Sequence, residues 1–325
     1  MTKVETKQMN GRTMTWLMTP AVLALVGMAL ATPVLAHDED ADEVGQAAGP
    51  NQGNVSLESG VEFTNAYYFR GIIQENQGFI TQPYATVSFA LFEGDGDGLI
   101  NSLGLFMGIW NSFHDGPSGS GGPNTDPKSW YESDLYTGVT VGLPANFEGT
   151  FTYTWYTSPN DVFLTVHEAM IGLNYDDSEL WTFVGLDGMA LSPSISVAFE
   201  TQNTAFGPDE GVYLELGIEP SVNPFTNGPI NQLSVSFPVT LGLGLSDYYE
   251  LVTVNPDLTT SRADDEFGYL KAGVAAALPL PIPAEFGSWT LSAGVHLLFL
   301  GDNLEAANAG DDFEVIGVIG ISMEY

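Results

Sequence analysis

The sequence contains no cysteine, and only seven of its 325 residues are Lys or Arg. The first absence excludes a disulfide framework and a thiolate metal site or nucleophile, without identifying a compartment. The second argues against nucleic acid as a partner, because phosphate binding needs a basic face. Acidic residues number 41, for a formal net charge of −34. Helical periodicity is also missing beyond the N-terminal segment, and no internal repeat is evident. The length suits one large all-β domain or two ordinary ones.

Residues 1–36 read as a cleavable export signal. Lys3, Lys7 and Arg12 form a basic start, with Glu5 an untypical guest, and an uncharged stretch runs from Thr13 to Ala36. It closes on Val34-Leu35-Ala36, small residues in the −3 and −1 places of a signal-peptidase site. The alternative, a retained membrane anchor, is opposed by Pro20, Pro33 and the acidic stretch that follows. Cleavage removes three basic residues and one acidic residue, leaving 7 − 3 = 4 against 41 − 1 = 40. Residues 37–54 then read as an acidic, unstructured leader. His37 sits there among scattered carboxylates, which make a poor cation cage, so no metal or other cofactor is expected.

From Val55 onward the dominant signal is strict alternation. In GVYLELGIEP, Val212, Leu214, Leu216 and Ile218 share one face, and Tyr213, Glu215, Gly217 and Glu219 the other. Such a period of two marks strands with one apolar and one polar face. Twelve runs of this kind lie near 55–69, 79–92, 100–113, 130–143, 147–157, 162–174, 191–201, 211–220, 232–245, 266–278, 287–299 and 313–325. The segment between the sixth and seventh could hold a helical turn or a further strand. A soluble sandwich would also alternate. Here the polar face is rich in Ser, Thr, Gly, Glu and Tyr, as a lumen would be, and the apolar face is long enough to cross a bilayer. The expected fold is all-β: a transmembrane antiparallel up-and-down barrel of about twelve strands spanning 55–325. Its longest external loops are expected at 114–129 and 246–265.

The last strand, FEVIGVIGISMEY, resembles the assembly signal of bacterial outer-membrane barrels. Tyr325 stands in the terminal aromatic place, Met323 in the hydrophobic place two before it, and Gly320 in the glycine place. Val318 departs from the polar residue usual at the signal's start. The order of segments also resembles the TorF-like porin family, small bacterial barrels with poorly defined substrates. The residues that carry this are YYFRGI at 67–72, QP at 82–83, ESDLYTGV at 132–139, TYTWYTSP at 152–159 and HEAMIGLNY at 167–175. These resemblances imply outer-membrane lipids and the barrel assembly machinery as partners, and a porin-like role with small solutes or cations as cargo.

Parity in the first run sends Tyr67 and Phe69 to the lipid face, as part of an aromatic girdle, and Tyr68 and Arg70 to the lumen. The same rule sends inward Glu58, Glu62, Glu132, Asp134, Glu148, Glu200, Glu215, Glu219, Glu314 and Glu324. Against these ten stand Arg70 and Lys271, with His296 as a third candidate. Arg70 among carboxylates reads as a salt-bridge hub; the alternative is a residue that narrows the pore or binds a solute carboxylate. The excess of inward carboxylates would attract cations, although general acidity suited to a saline habitat would produce the same composition. Inward Tyr84, Trp110, Tyr136, Tyr156, Tyr213 and Tyr269 are expected to fill space, since twelve strands lie between a side-chain-filled barrel and an open aqueous one.

No catalytic residues are expected. A lipid-acting barrel enzyme needs a serine beside a histidine. His167 is in phase only with Thr165 and Ala169, His114 reads as a loop residue, and His296 faces inward. DGDG at 95–98 lacks the later glutamate of a calcium loop and reads as a tight turn. A structural or adhesive barrel without conductance remains the alternative to a channel.

Overall fold

The computed structural model describes residues 53–325, apart from 95, 97, 119–128, 186–188, 226, 229 and 256. The expected signal peptide, nearly all of the leader, half of the DGDG turn and Lys128 therefore lie outside the described residues.

In chain order the elements are β1 (Val55–Thr64), β2 (Tyr67–Phe69), β3 (Ile72–Glu75), β4 (Ile80–Glu93), β5 (Ser102–His114), β6 (Trp130–Gly142), β7 (Phe147–Thr157) and β8 (Val166–Tyr175). The short helix α1 (Ser178–Phe183) follows, then β9 (Ser194–Gln202), β10 (Val212–Ile218), β11 (Ser221–Val222), β12 (Ser234–Ser236) and β13 (Val239–Ser246). After β14 (Leu251–Val254) and β15 (Thr260–Ala263) come β16 (Phe267–Pro279), β17 (Ser288–Leu300), α2 (Asp302–Ala307) and β18 (Phe313–Glu324).

Consecutive wall strands pair antiparallel, and β18 pairs with both β17 and β1, so the sheet closes on itself. Two wall strands are interrupted at prolines, β10–β11 at Pro220 and β12–β13 at Pro238, because proline has no N–H for the ladder. Counting each interrupted strand once, the wall is a closed antiparallel barrel of twelve strands. Closure leaves no free edge, the condition for a sheet to stand in hydrocarbon.

The outer face is apolar along its length, with exposed Met107 and Ile109 on β5, Leu135 on β6, Ile171 on β8, Val295 on β17 and Ile319 on β18. Aromatic pairs mark both ends of this face. Phe113 stacks on Trp130 at the mouth away from the termini, and Phe147 stacks on Tyr175 at the end carrying them. Inside, the small residues of one strand make room for the large ones of the next. A side chain at Gly108 would meet the Tyr136 ring at 2.4 Å, and one at Gly273 would meet His296 at 2.3 Å.

The first run departs from its expected course. β1 leaves the wall after Thr64, and β2 and β3 form a separate two-stranded sheet. Its turn is Arg70-Gly71, with φ of 48° and 82°. Positive φ at both central residues is the two-residue turn whose twist matches a hairpin. The alternation of β1 therefore does not carry through to Tyr67 and Phe69. Both are buried inside the barrel and do not join a lipid-facing girdle. The helical turn allowed between the sixth and seventh runs is α1, whereas α2 stands where no helical periodicity was evident; each has six residues, too few to show a repeating face.

Candidate functional site

The inward hairpin stands at the mouth away from the termini. Its sides are held by polar contacts. Tyr67 donates to Glu132 Oε2 at 2.9 Å, and Tyr68 donates to Glu314 Oε2 at 3.1 Å. Tyr67 also packs on Trp110, and Phe69 packs edge-on against Tyr156.

At the tip, Arg70 crosses to β8. Its Nη1 and Nη2 donate to Glu168 Oε2 and Oε1 at 2.5 and 2.8 Å, and Nη1 also donates to the Tyr248 hydroxyl at 2.8 Å. The guanidinium carbon lies 4.1 Å from the centre of the Tyr213 ring, with Phe69 and Tyr248 at 5.0 and 5.5 Å. A planar cation paired two-pronged with a carboxylate and stacked on aromatic rings uses both recognition modes open to arginine. Tyr249 closes over the turn by donating to the Arg70 carbonyl at 3.1 Å, and Asn308 donates to the Gly71 carbonyl at 3.0 Å. Arg70 is thus a hub between hairpin and wall, buried among aromatic rings that leave it no free face.

The base of the hairpin is fixed separately. Ser112 Oγ and His114 Nε2 are 2.7 Å apart, His114 Nδ1 and Ser118 Oγ are 2.8 Å apart, and Ser118 donates to Glu75 at 3.0 Å. His114 is therefore the last residue of β5 rather than a loop residue, and it has serine partners that parity alone did not reveal. The chain Ser–His–Ser–Glu has the composition of a nucleophile relay. Ser112 is fully buried, however, and also accepts from Gln82 at 3.3 Å. With the imidazole stacked on Tyr131 at 4.4 Å, the relay is a buried tie between β3 and β5.

The remaining wall carboxylates are spread along the barrel. Glu58 accepts from Tyr84 at 3.2 Å, and Glu215 accepts from Tyr213 and Tyr269 at 2.6 and 3.0 Å. Glu200 accepts the backbone N–H groups of Ala205 and Gly211, and so holds the 203–211 connection at the mouth. Glu62, Asp134 and Glu219 are buried in the interior, and Glu148 is half-buried near the terminal end. Lys271 stands within the electrostatic reach of Glu62, Glu215 and Glu219. Glu324, at the rim, is exposed. Gly320 packs against Ser292 and Glu62, Met323 pairs across from Trp289 and Ser59, and Tyr325 exchanges backbone bonds with Leu57.

Three participants escaped the sequence reading. Glu168 was not among the inward carboxylates, although His167 on the outer face beside Tyr153 dictates it by a period of two. Tyr248 and Tyr249 belong to a connection expected to lie outside, yet both are buried against the hairpin.

No known family matches the chain, and no curated protein does. Solved structures do resemble it. The COG4313 outer membrane channel from Pseudomonas putida F1 is 11% identical over 88% of this chain and 100% of that one, with a TM-score of 0.47. The transport unit of the autotransporter AIDA-I from Escherichia coli is 11% identical over 94% and 96%, with a TM-score of 0.40. LpxR from Salmonella typhimurium is 12% identical over 82% and 99%, with a TM-score of 0.41.

Proposed function

We propose that this chain is an exported outer-membrane barrel that acts as a porin-like channel for small solutes and favours cations. The observation that carries this reading is the imbalance of charge inside the wall. Arg70 is neutralised by Glu168, which leaves Lys271 among Glu62, Glu215 and Glu219, with Glu58, Glu148 and Asp134 on the same interior. Carboxylates inside a low-dielectric wall concentrate cations. Likeness to the TorF-like porins at 67–72 and 167–175 supports the same role, as does the C-terminal Gly320–Met323–Tyr325 signal for delivery by the assembly machinery.

A second reading, a barrel that does not conduct, draws on the hairpin that fills the mouth. An enzyme is disfavoured, because the serine–histidine contacts of His114, with Ser112 and with Ser118, are all buried.

The test is the reversal potential of the purified barrel across a salt gradient in a planar bilayer. Cation preference is expected, and it should fade toward 1 M salt, where screening shortens electrostatic reach to about 3 Å. Replacing Glu58, Glu62, Glu215 and Glu219 with Gln should reduce it, whereas removing residues 37–43 should leave it unchanged. Anion preference in the wild type would overturn the proposal.

A further inference from the structure

The tip of the hairpin is bound in the manner of a ligand. No ladder bond joins β2 or β3 to the wall among the described residues, and the two form a sheet of their own. The contacts at the tip come from side chains: Glu168, Tyr248, Tyr249 and Asn308. The receiving pocket is built on other elements. Glu168 lies on β8 and is 3% exposed, Tyr213 lies on β10 and Tyr248 follows β13. Tyr156 on β7 donates to Glu168 Oε1 at 3.1 Å and orients the carboxylate from behind. Nothing in this arrangement requires the guanidinium to be attached to residue 70.

We propose that the Glu168–Tyr213–Tyr248 pocket is a binding site for guanidinium-bearing solutes, which Arg70 occupies in the resting barrel as a self-ligand that shuts the mouth. An incoming guanidinium reproduces both bonds to Glu168 and the face contact with Tyr213, and releases the Arg70 side chain from the wall. No bond is made or broken and no proton moves. An ammonium ion carries the charge but cannot make the two-pronged contact, so it competes less well. The inference rests on the channel reading for its effect on current, though not for the existence of the site.

The experiment uses the full barrel in planar bilayers with methylguanidinium as the probe and methylammonium as its comparison. Arg70→Ala should conduct several-fold more than the wild type. Methylguanidinium should block that current at a concentration at least tenfold below methylammonium, and adding Glu168→Gln should erase the difference. If Arg70→Ala does not assemble, Arg70→Lys, with the charge but not the fork, should show an intermediate rise and the same order of block. A current equal to the wild type, equal block by the two cations, or selective block that survives Glu168→Gln would overturn the proposal. If no form of the protein conducts, the channel reading fails. The site is then judged by thermal unfolding: methylguanidinium, but not methylammonium, should raise the melting temperature of Arg70→Ala, and its failure to do so would overturn the site.

Discussion

Asn65 completes the β1–β18 seam with its side chain. Its Oδ1 accepts the Gly317 N–H at 2.6 Å, and its Nδ2 donates to the Val315 carbonyl at 3.1 Å. This is the point where β1 turns inward and its ladder with β18 ends at Thr64 opposite Val318. The carboxamide thus serves β18 in place of the strand that has left it. Each such bond contributes about 0.5 to 1.5 kcal/mol. Asn65→Ala should therefore lower stability by about 1 to 3 kcal/mol, read from urea unfolding in lipid vesicles, and Asn65→Asp should lose the Val315 bond as well.

The Arg70–Glu168 pair should behave as a unit. Removing one partner of a buried pair leaves the other charge unpaired, at a cost of about 3 to 5 kcal/mol. Arg70→Ala and Glu168→Gln should each destabilise by that order, and the double variant by clearly less than their sum. A double-mutant cycle on unfolding free energies measures this coupling, and strict additivity would show that the contact is not formed in the membrane.

The wall should discriminate between neighbouring positions on adjacent strands. Ile171 faces outward mid-strand on β8, and Ser196 faces inward across from Gly172. Arginine on a lipid-facing midplane position costs about 2 to 4 kcal/mol. Ile171→Arg should impair assembly, seen as loss of the compact, heat-modifiable band on gels, whereas Ser196→Arg should assemble.

Asp177, in the β8–β9 connection, supplies the pH-dependent case. Partial burial opposes its charged form, but donation from the Trp181 indole and the Leu191 and Ser192 amides outweighs this and holds its carboxyl below the usual range. A depressed value means that the native state prefers the anion. Its contribution is complete above the ordinary aspartate value of 3.8 and is lost as pH falls through the lower folded value. Asp177→Asn should therefore be less stable than the wild type at pH 7 by a margin that narrows below pH 3.8, measured as the difference between the two unfolding profiles.

The wall was legible in the sequence because lipid and lumen impose opposite demands on alternate residues. Each of the twelve runs contains a wall strand, including the two that proline interrupts, although the first leaves the wall after Thr64. The hairpin was not legible, because VEFTNAYYF keeps a period of two across Asn65-Ala66, where the chain changes direction. Arg-Gly is also a weak turn signal beside Asn-Gly or Asp-Gly. The candidate site was legible in part. Arg70 stands out by its rarity, while its partner Glu168 is one carboxylate among many and is set apart only by the arginine that reaches it. Tyr248 and Tyr249 sit in a connection where periodicity gives no direction at all.

The hairpin lies between the first and second wall strands in sequence, yet its tip is held by residues 98 and 178 positions further along the chain. Those residues stand on the opposite arc, which exists only once β8 through β13 are in place. Contacts of such long range form late. The first strand must also wait for the last, since β1 finds its second neighbour only in β18. Sealing the cylinder and swallowing the hairpin therefore belong to one terminal event, in which the earliest-translated part of the barrel is the last to find its seat.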